Sequence, residues 1–201
     1  MARFAHGTIH RTHGALRRAV YASLLICASQ PAVADDNRYH VKDCMSCHDT
    51  AGGHDGAMPV ILGQKKGYLV SRLDAFRHPG ADGSLMPRLM PAFTPQEIDL
   101  LATYLASQRS GLLPSTGAGA GTAGIGFARY QQHCAVCHEQ AADSPLLRGQ
   151  GRAYLVGALR DFVYGRRGMP DRMRDSLNAL SADDLNAVIG FLTTSSNRKN
   201  Q

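Results

Sequence analysis

The chain has 201 residues, a length that allows one large domain or two small ones. It carries 22 lysines and arginines against 16 aspartates and glutamates, but four of the arginines fall within residues 1–34, where no acid occurs. The remaining 18 basic and 16 acidic residues nearly balance, so the charge gives no argument for nucleic-acid binding and we expect none.

Residues 1–34 predict a secretory signal peptide. A basic stretch precedes the apolar run AVYASLLICAS at residues 19–29, which is too short to span a bilayer. The small residues of AVA at 32–34 then form a cleavage-site pattern. A buried N-terminal helix is the rival interpretation, and Pro31 argues against it. We therefore expect export, and a mature protein in the periplasm.

The remainder of the chain contains an internal repeat. The pentapeptides CMSCH at 44–48 and CAVCH at 134–138 lie ninety positions apart, and each is followed by a proline with Gly-Gln four residues beyond it. Next come YLVSRLDAF at 68–76 and YLVGALRDF at 154–162. The repeat predicts two similar domains at 35–112 and 125–201. A glycine- and alanine-rich linker at 113–124 would join them.

The coarse structure predicted for both domains is all-α. Thr94, Pro95 and Glu97 together form a helix start with a capping box, and Ser181 opens the counterpart helix. Apolar residues recur at helical spacing in the 68–76 and 154–162 segments, which predicts helices packed on a core. Domains of this size often need more than their own core, and a large apolar cofactor would supply it.

The pentapeptide C-x-x-C-H is the attachment sequence of c-type haem. Its two thiols can form thioethers with the two vinyl groups of one porphyrin, and the adjacent histidine can bind the iron. We therefore predict two covalently bound haem c groups. The attaching cysteines would be Cys44, Cys47, Cys134 and Cys137, and the iron-binding histidines His48 and His138.

Two other roles of the cysteines fit the sequence less well. A zinc site built from both C-x-x-C pairs would leave the repeated histidine and methionine unexplained. A thioredoxin-like redox motif would stand beside a βαβ pattern, and the sequence shows none.

A methionine recurs at the same place in both copies. Met86 lies eight residues before Thr94, and Met173 lies eight residues before Ser181. We predict that both bind iron on the face opposite the histidine, although core filling is the ordinary role of a methionine. The other methionines do not pair in this way, and neither do His54, His78 and His133. With the sixth position filled, the protein would transfer electrons rather than act as an enzyme.

The chain resembles the two-haem class I cytochromes c of the cytochrome c4 type. The resemblance rests on the two pentapeptides and on two longer segments, LGQKKGYLVSRLDAF and RGQGRAYLVGALRDF. The resemblance implies two tandem class I cytochrome c-like domains about a pseudo-twofold axis, with His/Met-bound iron and facing haem edges. It also implies that the carbonyls of Pro59 and Pro145 hold the ligand histidines. Asp49 and Glu139 stand where the family usually has glycine.

The resemblance further implies a periplasmic electron carrier of a respiratory chain. Its expected partners are redox proteins: a terminal oxidase, a quinol-oxidising complex or a dehydrogenase. Such a carrier could also associate peripherally with a membrane. One alternative is the cytochrome subunit of a dehydrogenase, such as a flavocytochrome c sulfide dehydrogenase. Another is a two-haem redox enzyme, which would need one haem with an open or unusual sixth position.

Overall fold

The structure, a computed structural model, describes residues 36–48, 56–78, 80, 84–110, 112 and 124–193. The predicted signal peptide and all of the predicted linker except Gly124 lie outside these residues, so both stay predictions. Contacts group the chain from Asn37 onwards into one compact unit, which holds both copies of the repeat.

The regular secondary structure of the described residues is helical, without any strand, so the all-α prediction is confirmed. In the first copy the helices are α1 (Asp36–Met45), α2 (Lys66–Ala75), α3 (Met86–Leu89) and α4 (Pro95–Ser107), with a 3₁₀ turn at Met90–Ala92. In the second copy they are α5 (Ile125–His133), α6 (Ala135–Gln140), α7 (Arg152–Val163), α8 (Asp171–Asn178) and α9 (Ala182–Thr193). Among the described helices, none has the length and apolarity that a membrane crossing requires.

The last helix of each copy begins at a reciprocal cap. The Glu97 backbone N–H donates to Thr94 Oγ1 at 3.2 Å, and the Thr94 N–H donates to the Glu97 carboxylate at 2.7 Å. In the second copy the Asp184 N–H donates to Ser181 Oγ at 3.1 Å, and the Ser181 N–H donates back to the Asp184 carboxylate at 3.2 Å. Both caps satisfy backbone donors that the helix leaves unpaired, which fixes where α4 and α9 begin.

Each copy packs its helices on an apolar core. In the first copy, Leu69 of α2 lies in one buried cluster with Leu101 and Leu105 of α4, and these three residues are at most 3% exposed. In the second copy, Leu155 of α7 joins Phe191 of α9 in a cluster that also holds a fully buried tyrosine of α5. Both predicted apolar stripes therefore contribute to the cores, through Leu69 in the first copy and Leu155 in the second.

Gly126 sets the closest approach between α5 and α9. A Cβ atom at this position would lie 2.2 Å from the carbonyl oxygen of Ala187. We expect Gly126→Ala to push the two helices apart and to lower the free energy of unfolding by about 1–3 kcal/mol. Denaturant unfolding of the haem-loaded protein, followed by circular dichroism, measures this change.

Gly157 of α7 supplies the matched control for that experiment. No heavy atom lies within 4 Å of a Cβ built there. Gly157→Ala should therefore raise the free energy of unfolding by roughly 0.5–1 kcal/mol, because alanine has the higher helix propensity. Equal stabilities of the two variants would contradict the steric account of the α5–α9 contact.

Candidate functional site

Both C-x-x-C-H segments form a helical turn. The His48 N–H donates to the Cys44 carbonyl oxygen at 2.9 Å, and the His138 N–H donates to that of Cys134 at 3.0 Å. Residues at i, i+3 and i+4 share one face of such a turn. Each segment therefore presents its two thiols and its imidazole on the same side.

The thiols at these turns are the free cysteines Cys44, Cys47, Cys134 and Cys137. Burial, followed by the neighbouring charge of Asp43, raises the pKa of the Cys44 thiol. Burial raises the pKa of Cys134 to about 11. A redox-active C-x-x-C motif instead has a lowered thiol pKa, so the structure does not favour thiol–disulfide exchange.

The described residues also bear on the zinc alternative. Within them, no three or more side chains of His, Cys, Asp or Glu come together in a way that could hold a metal ion. The two C-x-x-C pairs are therefore not combined into one four-ligand site.

A proline carbonyl holds each histidine ring. His48 Nδ1 lies 2.9 Å from the Pro59 oxygen, and His138 Nδ1 lies 2.9 Å from the Pro145 oxygen. Because a carbonyl only accepts, Nδ1 must carry the hydrogen, and the lone pair stays on Nε2. Burial lowers the pKa of His138, which favours the neutral ring that binds metal. The structure therefore contains both hydrogen bonds that the resemblance implied.

The two predicted methionine ligands occupy equivalent elements. Met86 is the first residue of α3 and Met173 lies in the first turn of α8, and both are partly buried. Met90 is 4% exposed and belongs to a core cluster with Phe76 and Ile98, which gives it a packing role. Iron binding by Met86 and Met173 stays a prediction.

Glu139, one of the departures from the family pattern, has a structural partner. Its carboxylate accepts a hydrogen bond from the hydroxyl of Tyr130, which is fully buried at the centre of the second core. The carboxylate thus satisfies a polar group that would be costly to leave unpaired. Asp49, the other departure, lies outside the described residues.

Lys65 of the first copy reaches the helix that carries His138. Its Nζ donates to the carbonyl oxygens of His138, Glu139 and Ala141 at 2.9, 3.0 and 2.7 Å. A cation at the carboxyl end of a helix is favourable, because these carbonyls lack partners within the helix. Burial lowers the pKa of Lys65, while the charges of Glu139 and Asp143 act in the opposite direction.

The two copies contact each other at the segments that hold the histidines. Gln64 binds the backbone of Leu146, the residue after Pro145, and Gln150 binds that of Val60, the residue after Pro59. Sequence reasoning gave no role to these glutamines or to Lys65. The one signal was the repeated Gly-Gln pair.

The arrangement fits haem c in each copy. Two free thiols, an imidazole with Nε2 available and a partly buried methionine are the donors that such a group requires. When bound, haem iron supplies a one-electron exchange between its ferrous and ferric states.

Family models match both copies. Residues 37–109 match the model described as "Cytochrome c", and residues 121–192 match "Cytochrome C oxidase, cbb3-type, subunit III". A curated relative, the cytochrome subunit of sulfide dehydrogenase from Chlorobaculum tepidum, is 30% identical over 64 residues. That match covers 32% of this chain, and the chain spans only 58% of the relative's length.

Solved structures share the two-domain fold. Cytochrome c4 of Acidithiobacillus ferrooxidans is 26% identical, with a TM-score of 0.61 over 76% of this chain and 98% of that one. Cytochrome c4 of Pseudomonas stutzeri is 21% identical, with a TM-score of 0.60 over 81% of this chain and 98% of that one. Thiosulfate dehydrogenase of Marichromatium purpuratum is 24% identical, with a TM-score of 0.57 over 76% of this chain and 36% of that one.

Two findings decide the assignment. Family models match both copies, and the structural likeness covers nearly the whole of the Acidithiobacillus ferrooxidans cytochrome c4 chain. The chain belongs to the cytochrome c family, as a two-domain electron-transfer protein of the cytochrome c4 type with two covalently bound haem c groups.

Proposed function

We propose that this protein is a periplasmic carrier that passes single electrons between redox proteins of a respiratory chain and does not itself convert a substrate. His48 and Met86 would bind the first iron, and His138 and Met173 the second. The donor would be a quinol-oxidising complex or a dehydrogenase, and the acceptor a terminal oxidase.

One observation carries this proposal. The contact between the copies includes the backbone of Val60 and of Leu146, which directly follow the prolines that hold His48 and His138. Both haem-binding turns therefore adjoin the same contact. Electron transfer falls steeply with distance, so this arrangement supports exchange between the two haems within one molecule.

The chain's own residues would keep this exchange reversible. Each proline carbonyl fixes the orientation of its histidine ring, and this hydrogen bond raises the basicity of the ring as a ligand. Methionine on the opposite face would exclude water and peroxide from the iron and raise its reduction potential.

Export is tested by removing residues 1–34. The truncated protein should stay in the cytoplasm without covalent haem, because the predicted signal precedes both attachment motifs. Cell fractionation and haem staining of gels measure location and haem content, with the full chain made in the same host as control. A truncated product that reaches the periplasm with both haems would contradict the signal-peptide assignment.

The carrier role is tested by kinetics of the purified haem-loaded protein. We expect one electron per haem in a mediated redox titration and rapid oxidation by membranes that contain a terminal oxidase. Steady turnover of peroxide or thiosulfate at rates comparable with its oxidation by membranes would overturn the proposal in favour of a two-haem enzyme.

A second candidate is the cytochrome subunit of a dehydrogenase. The observation that favours it is the 64-residue match to the cytochrome subunit of sulfide dehydrogenase. Native purification from the source organism tests it, because a stable subunit would bring stoichiometric flavoprotein with it. A haem-loaded protein that elutes free of flavin would favour the carrier.

A further inference from the structure

The glutamine of each Gly-Gln pair crosses to the other copy. Gln150 Oε1 accepts from the Val60 N–H at 2.8 Å, and its Nε2 donates to the Val60 carbonyl at 2.9 Å. Gln64 Oε1 accepts from the Leu146 N–H at 2.9 Å, and its Nε2 donates to the Leu146 carbonyl at 2.8 Å. Both glutamines are buried, Gln64 at 2% and Gln150 at 3% exposure, so these bonds form away from bulk water.

These bonds meet the peptide groups that hold the histidines. The Pro59 carbonyl and the Val60 N–H belong to one peptide group, which accepts from His48 at one end and donates to Gln150 at the other. In the second copy, the peptide group between Pro145 and Leu146 accepts from His138 and donates to Gln64. Each copy thus contains a continuous chain from imidazole through one peptide to a glutamine of the other copy.

Hydrogen bonds linked through one peptide group polarise each other. An N–H that donates makes its own peptide carbonyl a better acceptor, an effect of about 10–30% per bond in condensed-phase estimates. A better acceptor draws the Nδ1 hydrogen of the imidazole more strongly and makes Nε2 a stronger electron donor to metal. Stronger donation favours ferric iron and lowers the reduction potential.

We infer that Gln150 is a positioning residue for His48, and Gln64 for His138, so that each domain helps to set the reduction potential of the haem in the other. The inference rests on the proposed roles of the two histidines as iron ligands. We call the two chains of hydrogen bonds the crossed relay.

The crossed relay is tested with Gln150→Leu and Gln64→Leu in the haem-loaded full chain. Gln150→Leu removes the acceptor of the Val60 N–H, so the potential of the haem attached at Cys44 and Cys47 should rise. Gln64→Leu should instead raise that of the haem attached at Cys134 and Cys137. A redox titration monitored by NMR measures the potential of each haem separately, through the assigned methyl signals of that haem. In the reduced protein, the ring N–H signal of the affected histidine should also move upfield as its hydrogen bond weakens.

The mirrored pair of variants separates the relay from a general loosening of the contact. Loosening would shift both haems in each variant, whereas the relay requires each variant to act mainly on the opposite domain. Gln108→Leu is the matched control, since among the described residues the Gln108 side-chain amide bonds only Tyr104 and Ser107, both of its own copy. Equal shifts of both haems, a shift confined to the glutamine's own domain, or no shift would each overturn the inference.

The unaltered protein gives a further test that does not depend on a variant folding. Scalar coupling across the hydrogen bond should connect the Val60 nitrogen with the Gln150 side-chain carbonyl carbon, and its absence would overturn the relay. The same spectra test the ligand roles separately, because ring protons of an iron-bound histidine are strongly shifted by the haem ring current. If the ring protons of His48 or His138 lack that shift, the proposed ligand set is wrong. If the shift is present but the glutamine substitutions leave the haem potentials unchanged, only the crossed relay is overturned.

Discussion

Replacing Cys134 and Cys137 together with alanine should reduce the covalent haem content from two to one per chain. Both thiols of the second attachment turn are then lost, whereas Cys44 and Cys47 lie on a separate turn at the end of α1. The pyridine haemochrome assay, normalised to protein, measures the content. Mass spectrometry of tryptic peptides shows which motif retains its haem.

Cys27→Ala supplies the control for this experiment. Cys27 lies within the predicted signal peptide, so its replacement should leave the haem content at two per chain. A double variant that keeps two covalent haems would show that Cys134 and Cys137 do not attach one. A content near zero would show that the first domain cannot mature without the second. The structure offers a route for such dependence, since Gln64 and Lys65 of the first copy both bind the second.

Local signals in the sequence predicted much of the fold. Thr94 and Glu97 could be assigned as a cap because the partners of a capping box lie three residues apart. The stripes that contain Leu69 and Leu155 could be assigned to cores because a helix repeats its faces every three or four residues. In both cases the interacting residues are close in the chain.

The contact between the copies could not be predicted in this way. Gly63 and Gly149 have φ angles of 70° and 94°, so the turn alone explains the glycine of each Gly-Gln pair. The glutamines bind residues more than eighty positions away, and no periodicity reports such a pairing. Lys65 is similar, since its counterpart at the matching position of the second copy is Gly151 and the repeat gives no signal for it.

The site shows the same division. The spacing within each C-x-x-C-H motif fixes its own geometry, and the hydrogen bonds from His48 and His138 to the proline carbonyls followed from the family resemblance. The environment of Glu139 was hidden, because its partner Tyr130 lies nine residues earlier on a different helix. The structural role of a residue that departs from a family pattern can thus be assigned only when its neighbours in space are known.

Met86→Ala or Met173→Ala should each remove about half of the methionine–iron charge-transfer absorption of the oxidised protein. Both methionines lie in the first turn of a short helix, eight residues before equivalent caps, and the proposal places one sulfur on each iron. Loss of the thioether should also lower the potential of the affected haem, since this soft ligand favours ferrous iron. The opened face should then bind carbon monoxide or cyanide, which spectrophotometric titration measures.

Met90→Ala and Met169→Ala test whether these effects are specific to the proposed ligands. Met90 is 4% exposed in a core cluster, so its truncation should lower the free energy of unfolding by about 2–5 kcal/mol while the ligand absorption stays intact. Met169 has no methionine at the matching position of the first copy, and its replacement should also leave the absorption unchanged. If either control variant instead lost the absorption, the register of the repeat would be wrong for that domain. The haem attachment at the cysteines would be unaffected, because it depends on the C-x-x-C-H turns and not on the opposite face of the iron.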